Sequence, residues 1–186
     1  MKSLTRVFAA FLLAITIAFS GFSGSAHAAP FPVPNISIDV NTTIDQILGF
    51  VKTNEDFQIV VSNQTPYPLN RVATWNDTSN WPIFDVPPFT ALQEDWKENG
   101  LGSFSFASNY AVGNTGKYFQ FAASWPLIGT RKIHICASND SSQAAAKKCW
   151  NAISDSNDKT ILNAPFIGKA QMGKKNGKIQ WVYQVK

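Results

Sequence analysis

Short runs of β-branched and aromatic residues, separated by turn residues, recur from Phe57 onward and constrain the fold most strongly. In the last run the apolar residues Ile179, Trp181, Tyr183 and Val185 alternate with Gln180 and Gln184. A period of two is typical of a half-buried antiparallel strand. About eight such runs between turn signals predict an all-β fold, an antiparallel two-sheet β-sandwich.

The other predicted strands lie within residues 57–63, 71–75, 103–108, 117–122, 131–136 and 166–172. Residues 83–89 contain several prolines, so we expect them to form an edge strand or a loop. The charged residues 94–98 are typical of a solvated turn.

Two segments have a helical pattern. Residues 44–51 place Ile44, Ile47, Leu48 and Val51 at the i, i+3, i+4, i+7 positions of an amphipathic N-terminal helix, with Thr42 and Asp45 resembling a capping box. Residues 142–148 predict one short crossover helix. Because a helix this short is marginal in water, the apolar stripe of the first one must rest on a partner surface.

The N-terminal residues are typical of a secretory signal peptide spanning residues 1–28. Lys2 and Arg6 precede the uncharged run Val7–Ala18, and small residues precede a cleavage position after Ala28. The alternative is a membrane anchor, but the apolar run is shorter than the ~20 residues of a span. We therefore expect a secreted, extracellular chain, with an extended linker over residues 29–41 and one domain over residues 42–186.

Two cysteines remain in the mature chain, Cys136 and Cys149. In an oxidising compartment an even pair predicts one disulfide, although two buried free thiols are the alternative. The only mature histidine is His134, so we expect no metal site and no cofactor.

Charge is distributed unevenly along the mature chain. Residues 29–130 carry four basic and nine acidic side chains, whereas residues 131–186 carry ten basic and three acidic ones. If the basic side chains converge, they form a face suited to anionic lipid, polysaccharide or phosphate. If they are spread out, they are ordinary charged residues on a solvated surface.

The sequence lacks a recognisable catalytic motif, such as Gly-x-Ser-x-Gly or a phosphate-binding glycine loop. We therefore expect no enzymatic activity, although a carboxylate pair within residues 94–98 leaves a glycoside hydrolase as an alternative. Nucleic acid is not an expected partner, because the basic residues are mainly lysines and export removes the usual targets.

Several tryptophans fall in or next to predicted loops. Trp75 and Trp81 flank a polar segment, Trp125 precedes Pro126, and Trp150 follows Cys149. Exposed tryptophan suits a membrane interface or the face of a sugar, because part of the ring is apolar and part donates a hydrogen bond. The alternative is that these rings cap the ends of the sandwich core.

The order of elements carries a resemblance over about residues 43–186. An amphipathic helix precedes a first strand that ends in Asn-x-Thr at Thr65. A central hairpin is expected over residues 102–115, followed by a Ser-x-Pro segment, Ser124-Trp125-Pro126. A last hairpin over residues 168–185 closes the domain. This order resembles the actinoporin-like and aegerolysin-like superfamily, which includes sea-anemone cytolysins and fungal fruit-body lectins. The chain departs from actinoporins in lacking their tyrosine cluster and Arg-Gly-Asp element, and it has Leu127-Ile128 after Pro126.

The resemblance implies a β-sandwich that recognises lipid head groups or sugars. Together with the tryptophan pattern, it gives the expected ligand- or membrane-binding residues: Trp75, Trp81, Tyr110, Ser124, Trp125 and Pro126. The expected membrane-inserting residues are those of the helical stripe. The first functional hypothesis is a secreted membrane-binding, pore-forming protein that oligomerises on the membrane. The alternative is a secreted, lectin-like module that binds a cell-surface glycan without lysis.

Overall fold

The computed structural model describes residues 35–50, 57–76, 83, 85–96, 104–126, 128–153, 158–176 and 178–186. These residues belong to one compact unit, Val33–Lys186. The predicted signal peptide, residues 29–34 of the predicted linker, Val51 and Trp81 lie outside the described residues. Among the described helices, none has the length and hydropathy needed to cross a bilayer.

The described chain forms two β-sheets, which confirms the predicted all-β sandwich. The six-stranded sheet has the order β1 (Asn35–Ser37), β4 (Thr90–Trp96), β2 (Phe57–Asn63), β10 (Lys178–Val185), β9 (Phe166–Lys175) and β8 (Asp158–Asn163). The four-stranded sheet has the order β3 (Leu69–Asn76), β5 (Phe104–Val112), β6 (Tyr118–Trp125) and β7 (Lys132–Ser138). The predicted linker therefore contains a short strand, β1, that pairs with β4.

One strand pair departs from the antiparallel expectation. Strands β2 and β10 run parallel, with Ile59 opposite Trp181, whereas the other pairs within the two sheets are antiparallel. These two strands, the first and last long strands of the chain, are neighbours at the centre of the sheet. The chain between them passes through the other sheet, so no short hairpin joins them and they can run parallel.

Aromatic side chains fill the space between the two sheets. The Phe121 ring lies between Tyr110 and Tyr183, at centroid distances of 4.9 Å and 4.7 Å. The Tyr183 hydroxyl donates a hydrogen bond to the Ala122 carbonyl at 2.7 Å, and burial raises the pKa of Tyr183 well above its usual value. Gly168 on β9 leaves room for two other core side chains, because a Cβ there would lie 2.7 Å from Phe119 and Ile135.

Each sheet carries one helix on its outer face. Helix α1 (Ile44–Phe50) lies against the six-stranded sheet, where Ile44 and Ile47 pack in one cluster with Val60 and Val182. Helix α2 (Gln143–Asn151) lies against the four-stranded sheet. Both predicted helices are therefore present.

The capping box of α1 lies one residue later than predicted. The Thr43 amide donates to Gln46 Oε1 at 2.7 Å, and the Gln46 amide donates to Thr43 Oγ1 at 3.2 Å. Glutamine reaches back to the cap more readily than the shorter Asp45 side chain, so Thr43 is the cap. Thr42 instead accepts a hydrogen bond from the Asp39 amide.

Strand β10 is more buried than predicted, because α1 covers its outer face. Gln180 and Gln184 were expected on an exposed face, but they are only 1% and 4% exposed. The strand is buried on both faces, because the helix cluster covers the side opposite the core.

The charged segment expected to form a solvated turn instead contributes to strand β4. This strand pairs antiparallel with β2 along its whole length, and with β1 at residues 90–92. Strand β8 was not predicted. Residues 83–89, where described, form a loop with a single bridge between Leu69 and Val86.

The predicted disulfide is confirmed. Cys136 on β7 is bonded to Cys149 on α2, with the two Cα atoms 5.7 Å apart. The bond joins the crossover helix to the four-stranded sheet.

Candidate functional site

Two of the predicted binding residues lie in the core. Tyr110 is fully buried, and its hydroxyl donates to the Ile83 carbonyl at 2.6 Å. Trp125 is 8% exposed, with its ring against Trp181 on one side and the Arg131 guanidinium 3.8 Å from the ring centroid. The expectation of an exposed ring was wrong for Trp125, and the ring of Tyr110 is not presented to solvent, because each residue contributes to the core cluster between the sheets.

Two other predicted residues, Ser124 and Pro126, do lie together at the surface. They line an open groove of about 480 Å³ between the β6–β7 connection and the C-terminal end of α2. The full lining is Ser124, Pro126, Ile128, Gly129, Thr130, Lys132, Trp150, Asn151 and Ile153. We call this feature the α2 groove. Its size falls within the usual range of small-molecule sites, roughly 300–1,000 Å³.

A tryptophan pair borders the α2 groove. Trp75 on β3 and Trp150 on α2 have ring centroids 4.6 Å apart and an interplanar angle of 42°. Both side chains are partly exposed, and the Lys147 ammonium lies 5.9 Å from the Trp75 ring centroid. Of the loop tryptophans in the prediction, Trp75 is therefore near the groove, Trp125 is in the core, and Trp81 is outside the described residues.

The chemistry of the α2 groove is mixed apolar, neutral polar and cationic. Its nine lining residues include one lysine, Lys132, and no carboxylate. Ser124, Thr130 and Asn151 bring hydroxyl and carboxamide groups. An anionic or neutral polar ligand fits such a lining better than a cation does.

Ile128 is the most exposed large apolar residue among those described, at 90%. It lies in the β6–β7 connection, next to Gly129, whose φ of 118° is a conformation that residues with side chains rarely adopt. The turn therefore presents an aliphatic side chain to solvent beside the α2 groove.

Several contacts hold the α2 wall of the groove in place. Ser142 caps the helix by accepting a hydrogen bond from the Ala145 amide. The Asn109 carboxamide donates to the Asp140 and Ser142 carbonyls, and the disulfide holds Cys149, the residue before Trp150. The Trp150 side chain is thus attached to a fixed element.

The predicted binding residues did not include Trp150, Ile128, Lys132 or Asn151. One signal pointed to their proximity. The predicted disulfide ties Cys149 to β7, the strand that begins at Lys132, so residues next to Cys149 had to lie near that strand.

The described residues include a close pair of ionisable groups outside the α2 groove, His134 and Lys159. Within the described residues no cluster of three His, Cys, Asp or Glu side chains is placed to bind a metal. Burial and, to a smaller extent, the charge of Lys159 together lower the pKa of His134 to about 4. The neutral imidazole lies with Nε2 2.6 Å from Lys159 Nζ, an arrangement in which it accepts a hydrogen bond from the ammonium group.

No protein-family model matches this chain, and a search of curated proteins finds no significant sequence relative.

Proposed function

We propose that this chain is an exported protein that binds the surface of a membrane through the α2 groove. The observation that carries the proposal is the combination at one place of an aliphatic side chain that is 90% exposed, a partly exposed indole pair and an open groove lined by Lys132. An interfacial protein needs an apolar anchor for the acyl boundary and polar or cationic groups for the head groups.

The groove and its border provide each part of such an interface. Ile128 is suited to enter the apolar boundary, while Lys132 and Lys147 are suited to phosphate groups above it. Ser124 and Pro126 belong to the Ser-x-Pro segment that resembles the head-group pocket of actinoporins. The disulfide between Cys136 and Cys149 is compatible with export.

Pore formation, the further part of the first hypothesis, depends on release of α1 into lipid. The sheet beneath and around α1 supports this step, because its buried outer face is rich in carboxamides: Gln58, Gln93, Gln180 and Gln184. The polar side chains become hydrated when the helix leaves, while its apolar stripe, Ile44, Ile47 and Leu48, finds acyl chains in place of Val60 and Val182. The carboxamides of Gln64 and Gln184 donate to the Thr42 carbonyl and hold the start of the helix until release.

Vesicle co-sedimentation tests the binding step. The mature protein is mixed with vesicles of phosphatidylcholine alone, and of phosphatidylcholine with phosphatidylserine or sphingomyelin. We expect binding to at least one mixture, and weaker binding by a Trp150→Ala variant of unchanged thermal stability. Absence of binding to all three mixtures would remove the proposal.

A cross-linked variant tests the helix-release step separately. Leu48 lies over Gly173 on β9, since a Cβ at Gly173 would be 3.2 Å from Leu48 Cδ1. A Leu48→Cys/Gly173→Cys variant joined by a short bismaleimide keeps α1 on the sheet. We expect this protein to bind vesicles without releasing an entrapped dye, whereas the unjoined variant releases it. Equal dye release by both forms would show that α1 is not the inserting element.

Glycan binding at the same groove is the second candidate function. It is favoured by the hydroxyl and carboxamide groups of Ser124, Thr130 and Asn151 beside an indole. Glycan-array binding that Trp150→Ala abolishes, without vesicle binding, would select it over the membrane proposal.

A further inference from the structure

A second cleft lies at the opposite end of the sandwich from the α2 groove. It has a volume of about 550 Å³ and is lined by Tyr67, Pro68, Asn70, Gly113, Asn114 and Thr115. These residues come from the connection between β2 and β3, the start of β3, and the turn between β5 and β6. The α2 groove lies where β6 ends and β7 begins, so the two features are separated by the length of β6.

The Tyr67 ring is held in a fixed position at this cleft. The Tyr67 carbonyl accepts hydrogen bonds from Asn63 Nδ2 at 2.7 Å and Thr65 Oγ1 at 2.8 Å. Its ring meets the buried Phe166 ring edge to face, with centroids 6.0 Å apart. Gly113 packs against it so closely that a Cβ there would lie 3.2 Å from Tyr67 Cβ. Even so, Tyr67 remains 42% exposed, so a rigid aromatic ring is presented to solvent.

The remaining lining gives this cleft a chemistry different from that of the α2 groove. Asn70 and Asn114 contribute carboxamides, which both donate and accept hydrogen bonds. The Thr115 hydroxyl donates to the Val112 carbonyl at 2.6 Å and accepts from the Lys117 amide at 3.4 Å, which leaves one of its two lone pairs for a ligand. None of the six lining residues is charged, so nothing in the lining favours a phosphate or carboxylate.

We propose that this cleft binds a neutral saccharide. One face of a pyranose ring is formed by C–H groups and is apolar, so it packs on an aromatic ring, while its hydroxyl groups both donate and accept hydrogen bonds. A fixed tyrosine beside two carboxamides and a hydroxyl matches both properties. Because Tyr67 is already ordered, binding loses little conformational entropy at this residue. The site is independent of the membrane proposal, and it allows one molecule to contact a glycan at one end and a lipid surface at the other.

The test is a titration of the isotope-labelled mature protein with chitopentaose, cellopentaose, maltopentaose, mannopentaose and galactopentaose, followed by NMR. We expect at least one of these sugars to shift the amide signals of Asn70, Gly113, Asn114 and Thr115. Tyr67→Ala should weaken its binding about 10-fold, whereas Tyr67→Phe keeps the ring and should stay within a few-fold of the parent. Asn114→Ala, at an exposed position, provides a second variant with little risk to folding.

Phe50→Ala is the control, because Phe50 is exposed on α1 and lines neither the cleft nor the α2 groove, so saccharide affinity should be unchanged. Trp150→Ala separates this cleft from the α2 groove, where the second candidate function places a glycan. The proposal is overturned if none of the five sugars shifts these signals, or if Trp150→Ala and not Tyr67→Ala removes the binding. It is also overturned if Tyr67→Ala reduces vesicle binding while no sugar binds, since the cleft would then be a lipid contact. Vesicle binding is measured separately, so failure of this proposal leaves the proposed function intact.

Discussion

Replacement of Ile128 by serine isolates the apolar part of the proposed membrane contact. The side chain is 90% exposed, so it contributes little to folding, and we expect the free energy of unfolding to change by no more than about 0.5 kcal/mol. Full burial of an isoleucine side chain in an apolar medium is favourable by about 1.5–3 kcal/mol. If Ile128 enters the acyl boundary, Ile128→Ser therefore lowers the vesicle partition coefficient by about 10- to 100-fold.

Leu162→Ser provides the matched control for this measurement. Leu162 is also an exposed aliphatic residue, at 67%, but it lies at the other end of the sandwich. The neighbouring Asn163 carboxamide donates to the Tyr118 carbonyl, at the end of β6 far from Ser124. Co-sedimentation across a series of lipid concentrations gives both partition coefficients. Equal binding by Ile128→Ser and the parent protein, or equal losses in the two variants, would refute insertion of the β6–β7 connection.

Three further predictions concern stability. Loss of the disulfide in a Cys136→Ser/Cys149→Ser variant should lower the free energy of unfolding in urea by about 3 kcal/mol, because the bond closes a loop with a sequence separation of 13. A negligible change would contradict this and mean that other contacts suffice to hold α2. Ile47→Ala should lower the free energy of unfolding by about 2–5 kcal/mol, because this side chain is fully buried on the sheet-facing side of α1. Phe50→Ala on the same helix, at 55% exposure, should be nearly neutral. Similar effects of the two changes in urea unfolding would contradict the docking of α1. The pKa of His134 is about 4 when folded and near 6.5 when unfolded, so the unfolded chain binds more protons between these values and stability should fall as pH falls from about 6.5 to 4. A His134→Gln variant should show a flatter dependence in urea unfolding over that range, and an unchanged slope would contradict a buried neutral imidazole.

Strands could be predicted where their residues show the apolar or β-branched pattern of a buried strand. The alternation in residues 178–185 located β10, and the β-branched run at residues 57–63 located β2. Strand β4 was missed because its C-terminal part is charged, and the polar strand β8 gave no apolar alternation that marks a strand. Their strand character comes from pairing with neighbours, which a local pattern does not reveal.

The candidate site was only partly predictable for a related reason. A tryptophan beside a proline has the same local signature whether its ring points outward or into the core, and Trp125 points into the core. Ser124 and Pro126, its neighbours, do reach the α2 groove. The remaining wall of the groove, Trp150 and Asn151, comes from a helix whose position is set by the four-stranded sheet.

The sequence by itself determined the β class, the two helical segments and the cysteine pair, because periodicity and residue chemistry are local properties of the chain. The tertiary structure decided which rings are exposed, which glutamines are buried and which loops meet at each end of the sandwich. Those features depend on how two sheets and two helices cover one another, through contacts between residues far apart in the sequence.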